Sequence, residues 1–116
     1  MEPTVLILDN DLGFVMWLGR ALNDAGIRAL PSSTCVEASA IVRKLRPARV
    51  NLLIANLALE GSRELVEKLA AKNESLKIIA IGGRTSRRVI GRISRPRGKT
   101  LPSPGRYVQA VLRALG

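Results

Sequence analysis

Short aliphatic runs alternate with amphipathic segments along this chain, and that alternation constrains its fold more than any other feature. The runs at 4–8, 50–55 and 76–81 are apolar at nearly every position, which is typical of strands buried on both faces. A shorter run at 27–30 predicts a further strand, closed by Pro31. Apolar residues recur at helical spacing after Asp11, Thr34 and Ser62, each of which is predicted to cap a helix. Val108, Val111, Leu112 and Leu115 indicate the last helix. This order predicts a three-layer α/β/α domain with a parallel sheet.

Composition removes several classes of function. The 116 residues contain no histidine, which excludes histidine-based triads and histidine metal sites. Cys35 is the only cysteine, so an intrachain disulfide and a cysteine metal cluster are both impossible. A structural role is the simplest interpretation of the Cys35 thiol. No apolar run has the roughly 18 residues of a membrane span, and we expect a cytoplasmic protein.

Polar residues follow three of the predicted strands. Asp9, Asn10 and Asp11 come after the first strand, Asn56 after the third, and Gly82 after the fourth. Because the carboxyl ends of parallel strands lie at one edge of a sheet, these positions are expected to converge. By themselves the residues at 9–11 also suit an ordinary strand-end turn and helix cap.

These segments resemble the receiver domain of response regulators. The similarity rests on the run 6–11, which ends in the acidic motif, on the apolar pattern of 51–61, and on the order of the three sites. The resemblance implies a flavodoxin-like (CheY-like) sheet of about five strands in the order 2-1-3-4-5. It also implies a phosphorylation pocket at Asp9, Asn10, Asp11, Asn56 and Gly82.

Departures from the receiver pattern predict a pocket that no longer transfers phosphate. Asn56 stands at the phosphoacceptor position, and an amide cannot form the acyl phosphate that a carboxylate forms. Asn10 replaces a second carboxylate, which weakens a site for Mg²⁺. Gly82 has no side chain where the family has Ser or Thr. We therefore expect a degenerate pseudo-receiver that is not an enzyme and holds neither cofactor nor metal.

The residue equivalent to the family's lysine has three candidate registers. Arg95-Pro96 fits by motif, Lys99 is the only lysine nearby, and Ser103-Pro104 fits by its distance from the fourth strand. The segment between Gly82 and Tyr107 is short for a helix, a strand and a loop. We therefore predict a shortened or irregular fourth helix or fifth strand.

The net positive charge of the chain comes entirely from its last third. Residues 1–74 carry 9 basic and 9 acidic side chains, whereas residues 75–116 carry 10 basic and none that is acidic. The stretch 84–106 contains eight of these ten and three prolines, which predicts an irregular basic segment within a single domain at 1–116. Candidate contacts for an anion or a partner are Arg84, Arg87, Arg88, Arg92 and Arg97.

Three interpretations of this basic segment are open. It could be a solvated loop, dock an acidic partner, or contact nucleic-acid phosphates. If a short helix begins at Thr85 or Ser86, then one helix face carries Arg84, Arg87, Arg88 and Arg92. The leading hypothesis is a phosphorylation-independent signalling domain that binds a protein partner or an attached output domain, as a monomer or weak dimer. The alternative is a nucleic-acid-binding module that uses the segment 84–106.

Overall fold

The computed structural model describes residues 3–45, 49–98 and 101–116. Nine elements follow one another in these ranges: β1 (Thr4–Leu8), α1 (Leu12–Asp24), β2 (Arg28–Ser32), α2 (Cys35–Leu45), β3 (Leu52–Ala55), α3 (Ser62–Lys72), β4 (Lys77–Ile81), β5 (Val89–Ile93) and α4 (Gly105–Leu115). Among the described helices, none has the length and apolar character needed to cross a bilayer.

The five strands form one sheet in the order β2-β1-β3-β4-β5, and every neighbouring pair is parallel. The predicted fold class is therefore confirmed. The register aligns Leu8 with Ala55 and Ala55 with Ala80, while Ile81 lies opposite Ile93. The residues that follow these strands consequently meet at one edge of the sheet.

Two aliphatic cores lie on opposite faces of the sheet because successive side chains of a strand point to opposite sides. Val5 and Ile7 of β1 pack beneath α1 and α4, whereas Leu6 and Leu8 pack beneath α2 and α3. All five residues of β1 are buried. This explains why the central strands are apolar at every position rather than at alternate ones.

The edge strand β2 differs from its predicted bounds. It runs from Arg28 to Ser32, so Pro31 lies inside the strand and does not end it. A proline is tolerated there because an edge strand has one side without a hydrogen-bonded neighbour. The strand is secured beyond the proline by the Ser32 hydroxyl, which donates to the Ile7 carbonyl at 2.7 Å.

Local polar contacts fix the starts of α1 and α2. Asp11 caps α1 by accepting a hydrogen bond from the Phe14 amide at 3.1 Å. At α2 the Glu37 amide donates to Thr34 Oγ1, while the Glu37 carboxylate accepts from the amide and hydroxyl of Ser33. The predicted cap of α3 at Ser62 is wrong: Gly61 is the N-cap, and Ser62 donates instead to the Leu57 carbonyl.

The connection between β4 and β5 contains no helix. Residues 82–88 join two parallel neighbours directly, although such crossovers usually take a dozen residues or more and include a helix. The strand pairing also shifts between Ile78 and Ile79. The predicted irregularity is thus the loss of a helix, and the helix face proposed for Arg84, Arg87, Arg88 and Arg92 does not exist. Arg92 lies instead on β5.

The contact between Glu37 and Ser33 makes a prediction about stability and pH. The Ser33 side chain and amide, which both donate to the carboxylate, lower the pKa of Glu37. The stabilisation is therefore present above the unfolded pKa of about 4.3 and is lost as the pH falls through the lower folded value. Glu37→Gln is expected to reduce the free energy of unfolding in urea at neutral pH and to match the wild type at about pH 2.

Glu67→Gln is the matched control, because Glu67 is an exposed carboxylate on α3. It is expected to change stability little at either pH. Equal stability of Glu37→Gln and the wild type at neutral pH would contradict the proposed capping role.

Candidate functional site

The carboxyl edge of the sheet brings Asp9, Asn56 and Arg95 together. Asp9 directly follows β1, and Asn56 directly follows β3. The backbone N–H of Asn56 donates to the Leu8 carbonyl at 2.9 Å. Arg95 lies two residues beyond β5. The adjacency of β1 and β3 explains the first pairing, but the approach of Arg95 spans two strands of the sheet and depends on its long side chain.

A bidentate ion pair joins Arg95 to Asp9. Arg95 Nε lies 2.6 Å from Asp9 Oδ2, and Nη2 lies 2.5 Å from Oδ1. The Asp9 side chain is completely buried, whereas 38% of the Arg95 side chain is exposed. The hydrogen bonds to Asp9 raise the pKa of the Arg95 guanidinium, and the negative charges of Asp9 and Asp11 add to this effect. The Arg95 guanidinium therefore remains charged throughout the neutral range.

The amides of the site complete this network. Arg95 Nη2 also donates to Asn10 Oδ1 at 2.7 Å. Asn56 Nδ2 donates to Asp9 Oδ1 at 3.2 Å, and its own Oδ1 accepts from the Ala58 amide at 3.0 Å. Both ends of the Asn56 side chain are thus engaged. Among the described residues, no buried side-chain nitrogen or oxygen lacks a hydrogen-bond partner.

Asp11 contributes charge from the rim of the site. One of its carboxylate oxygens caps α1, and the other lies 4.0 Å from Arg95 Nε. Its side chain is 44% exposed. Asp11 therefore acts mainly as a helix cap, with a screened attraction to Arg95.

Gly82 has a backbone conformation that disfavours a side chain. Its φ is 85°, in the left-handed region, although a Cβ there would meet no atom within 4 Å. The Gly82 amide donates to the Ile93 carbonyl at 3.1 Å, which ties the turn to β5. A Ser or Thr at this position would be strained by about 1–2 kcal/mol.

The donor set of the site does not fit a divalent cation. Mg²⁺ requires carboxylate and water oxygens in an octahedral arrangement. Both oxygens of Asp9 already accept from Arg95, whose positive charge lies beside them, and the oxygen of Asn10 is engaged as well. Within the described ranges, no three acidic or cysteine side chains are placed to hold a metal ion.

The sequence left three candidate positions for the residue equivalent to the family's lysine. The structure places one of them, Arg95, at the pocket. Its strand, β5, ends at Ile93, and Pro104 is the N-cap of α4. Lys99 lies outside the described residues. The sequence pointed to Arg95 by motif, but its contact with Asp9 could not be derived from the spacing.

The predicted partner-binding arginines divide between two surfaces. Arg84, Arg87 and Arg88 lie in the β4–β5 connection, along a groove beside α3. Arg88 donates there to the Glu74 carbonyl. Arg92 and Arg97 line a different groove, between β5 and α4, together with Arg106 and Arg113. Sequence reasoning missed these last two residues as a site, although their spacing of seven places them on one helix face.

The thiol of Cys35 gives no sign of reactivity. Partial burial, together with the nearby negative charge of Glu64, raises its pKa. A raised pKa disfavours the thiolate, which is the nucleophilic form. This direction agrees with a structural role.

The solved structures to which the chain is similar include response regulators and receiver domains. The chain resembles the chemotaxis response regulator CheY4 of Vibrio cholerae, with 19% identity, a TM-score of 0.74, and coverage of 99% of this chain and 100% of that one. It resembles the receiver domain of the hybrid histidine kinase CckA with 17% identity, a TM-score of 0.76, and coverage of 97% and 99%.

A third similar structure is a response regulator from Burkholderia pseudomallei that contains a phosphorylated aspartic acid, a calcium ion and citrate. It shows 16% identity, a TM-score of 0.67, and coverage of 99% of this chain and 67% of that one. No family model and no curated protein sequence matches the chain. The chain thus has the fold of a response-regulator receiver domain.

The ion pair predicts unequal effects when its two partners are removed. Arg95→Met leaves the buried Asp9 carboxylate without its cation, so we expect a loss of about 2–4 kcal/mol in the free energy of unfolding. Asp9→Asn leaves Arg95, which turns to solvent, and is expected to cost about 1–2 kcal/mol. Denaturant unfolding of both variants measures the difference.

Arg97→Met is the matched control because Arg97 is exposed and two residues away in the same loop. It is expected to change stability by less than about 0.5 kcal/mol. If Arg95→Met were as stable as Arg97→Met, the ion pair would have no structural importance.

Proposed function

We propose that this chain is a phosphorylation-independent signalling domain, a degenerate receiver that acts by binding another protein. The observation that carries this proposal is the contact of Arg95 with Asp9 and Asn10. It supplies a positive charge from within the chain at the acidic edge of the sheet. Asn56 supports the same conclusion from the other side of the pocket, since its two polar ends are engaged with Asp9 and Ala58.

Phosphotransfer to a receiver requires a nucleophile and a charge-neutralising site. A carboxylate oxygen attacks the phosphorus of the donor, the donor's leaving group departs, and an acyl phosphate remains. Asn56 offers an uncharged amide at this point of the fold. The negative charge of an incoming phosphoryl group would also meet Asp9 without a divalent cation between them.

The same ion pair favours a single arrangement of the pocket. Asp9 belongs to the end of β1 and Arg95 to the segment after β5, so the pair ties the centre of the sheet to its edge. A ligand changes a conformational equilibrium only if it binds the two states with different affinity. Because the polar groups of the pocket are already hydrogen-bonded within the chain, few of them are free to bind a phosphoryl group. We therefore infer that the domain binds its partner constitutively.

The resemblance to receivers points to the last strand and the last helix as the contact face. In this chain that face is basic, and two copies brought together symmetrically across it would repel one another. We therefore propose a monomer or weak dimer whose partner is another protein or an attached output domain. The nucleic-acid alternative has no specific support, because the arginines after β4 lie in a loop and not on a recognition helix.

The proposal predicts that acetyl phosphate with Mg²⁺ does not label the wild type. Asn56→Asp is expected to restore little labelling, since Asn10, Gly82 and Arg95 are unchanged. Intact-mass measurement after incubation with the donor detects one added phosphoryl group. The response regulator from Burkholderia pseudomallei, whose structure contains a phosphorylated aspartic acid, serves as the positive control.

Stoichiometric labelling of the wild type would overturn the proposal. Full labelling of Asn56→Asp would show that the rest of the pocket supports phosphorylation, and that Asn56 alone prevents it in the wild type.

A further inference from the structure

A groove with a volume of about 1090 Å³ lies between β5 and α4. One wall is the face of α4 that carries Arg106, Ala110 and Arg113. The opposite wall is formed by β5 and the segment after it, including Arg92 and Arg97. The groove adjoins the pocket of Asn56 and Arg95 at Ser94, and it shares no lining residue with the groove beside α3.

The rim of this groove is strongly positive. Arg92, Arg97, Arg106 and Arg113 are all exposed, and within the described part of the chain none of them forms an ion pair. The sequence contains no acidic side chain after Glu74, so no carboxylate close in sequence neutralises these arginines. Arg106 and Arg113 are two helical turns apart, which separates them by about 10 Å along α4.

The floor of the groove is apolar and half-buried. It is formed by Ile93, Pro96, Tyr107 and Ala110, so the groove offers apolar contact area between its charged walls. Nucleic-acid phosphates would pair with the arginines but leave this floor unused. The Tyr107 ring is held in place by an edge-on contact with Trp17, with the centroids 5.2 Å apart.

Two contacts hold the walls in place. The Tyr107 hydroxyl donates to the Ser94 carbonyl at 2.5 Å, which ties α4 to the end of β5. Arg95, the next residue, is fixed to Asp9. The segment that carries Arg97 is therefore anchored before a ligand arrives, and such preorganisation reduces the entropy lost on binding.

We propose that this groove binds an acidic segment of a partner protein in which apolar side chains recur at intervals among the carboxylates. The carboxylates would pair with the four arginines, and the apolar side chains would lie on the floor around Ile93 and Tyr107. In an extended segment with three residues per turn, carboxylates three residues apart lie on one face about 9 Å from each other, close to the roughly 10 Å between Arg106 and Arg113. This inference rests on the proposed function and names the chemistry of the partner.

The test is a titration of the full chain with fluorescein-labelled peptides, followed by anisotropy at physiological salt. The probe is a short peptide of Asp-Glu-Leu repeats. The comparison ligands are an Asp-Glu-Ser peptide of equal length and charge, and oligo(dT) of equal charge. We expect the leucine peptide to bind about tenfold more tightly than either, because only it uses the floor as well as the rim.

Two double variants with the same net charge locate the site. Arg97→Gln with Arg106→Gln is expected to weaken binding of the leucine peptide at least tenfold. Arg84→Gln with Arg87→Gln removes the same charge from the groove beside α3 and is expected to change binding less than about twofold. All four side chains are exposed, and ¹⁵N–¹H spectra verify that each variant is folded.

Equal binding of the leucine and serine peptides, tighter binding of oligo(dT), or equal effects of the two double variants would each overturn the proposed groove. No binding of the leucine peptide, whether acetyl phosphate and Mg²⁺ are present or absent, would overturn it as well. Repeating the titration with acetyl phosphate and Mg²⁺ separates the two proposals. Binding that requires the phosphate donor contradicts phosphorylation independence and leaves the groove intact, whereas absent binding without labelling contradicts the groove alone.

Discussion

A carboxylate that is completely removed from solvent must be paired, and the pairing of Asp9 organises the carboxyl edge of this sheet. Moving an isolated charge into a protein interior costs several kcal/mol even after relaxation. Arg95 offsets that cost with two parallel hydrogen bonds, and Asn56 adds a third. One ion pair consequently links the end of β1 to the segment after β5, and with it the pocket to the groove beside α4.

The physical consequence is that a cation belonging to the chain lies where the pocket would otherwise need one from solution. A tethered guanidinium differs from a divalent ion in that it cannot leave, and it brings its own geometry of five donors. It also holds the segment that leads to α4. The ion pair therefore fixes the carboxyl edge of the sheet and, with it, the segment that leads to the basic groove beside α4.

Much of the fold could be predicted from local patterns, whereas the contacts of the site could not. Apolar runs on both faces are sufficient to indicate β1, β3 and β4, and the order of polar residues after them indicates the edge where Asp9 and Asn56 meet. The only sign in the sequence that no helix lies between β4 and β5 was that the segment contains too few residues for one. The ion pair of Arg95 joins residues 86 positions apart, so neither propensity nor periodicity reports it. The groove was missed for the same reason, since Arg92 and Arg113 become neighbours only when α4 packs against the sheet.

The most direct test of this account is the ¹H–¹⁵N NMR signal of Arg95 Nε–H, assigned by comparison with Arg95→Lys. A guanidinium held by a buried carboxylate is predicted to give a downfield Nε–H signal that exchanges slowly with water and is unchanged by millimolar Mg²⁺. A signal that exchanges as rapidly as those of the exposed arginines, or that Mg²⁺ displaces, would show that the pocket is open and would contradict the account.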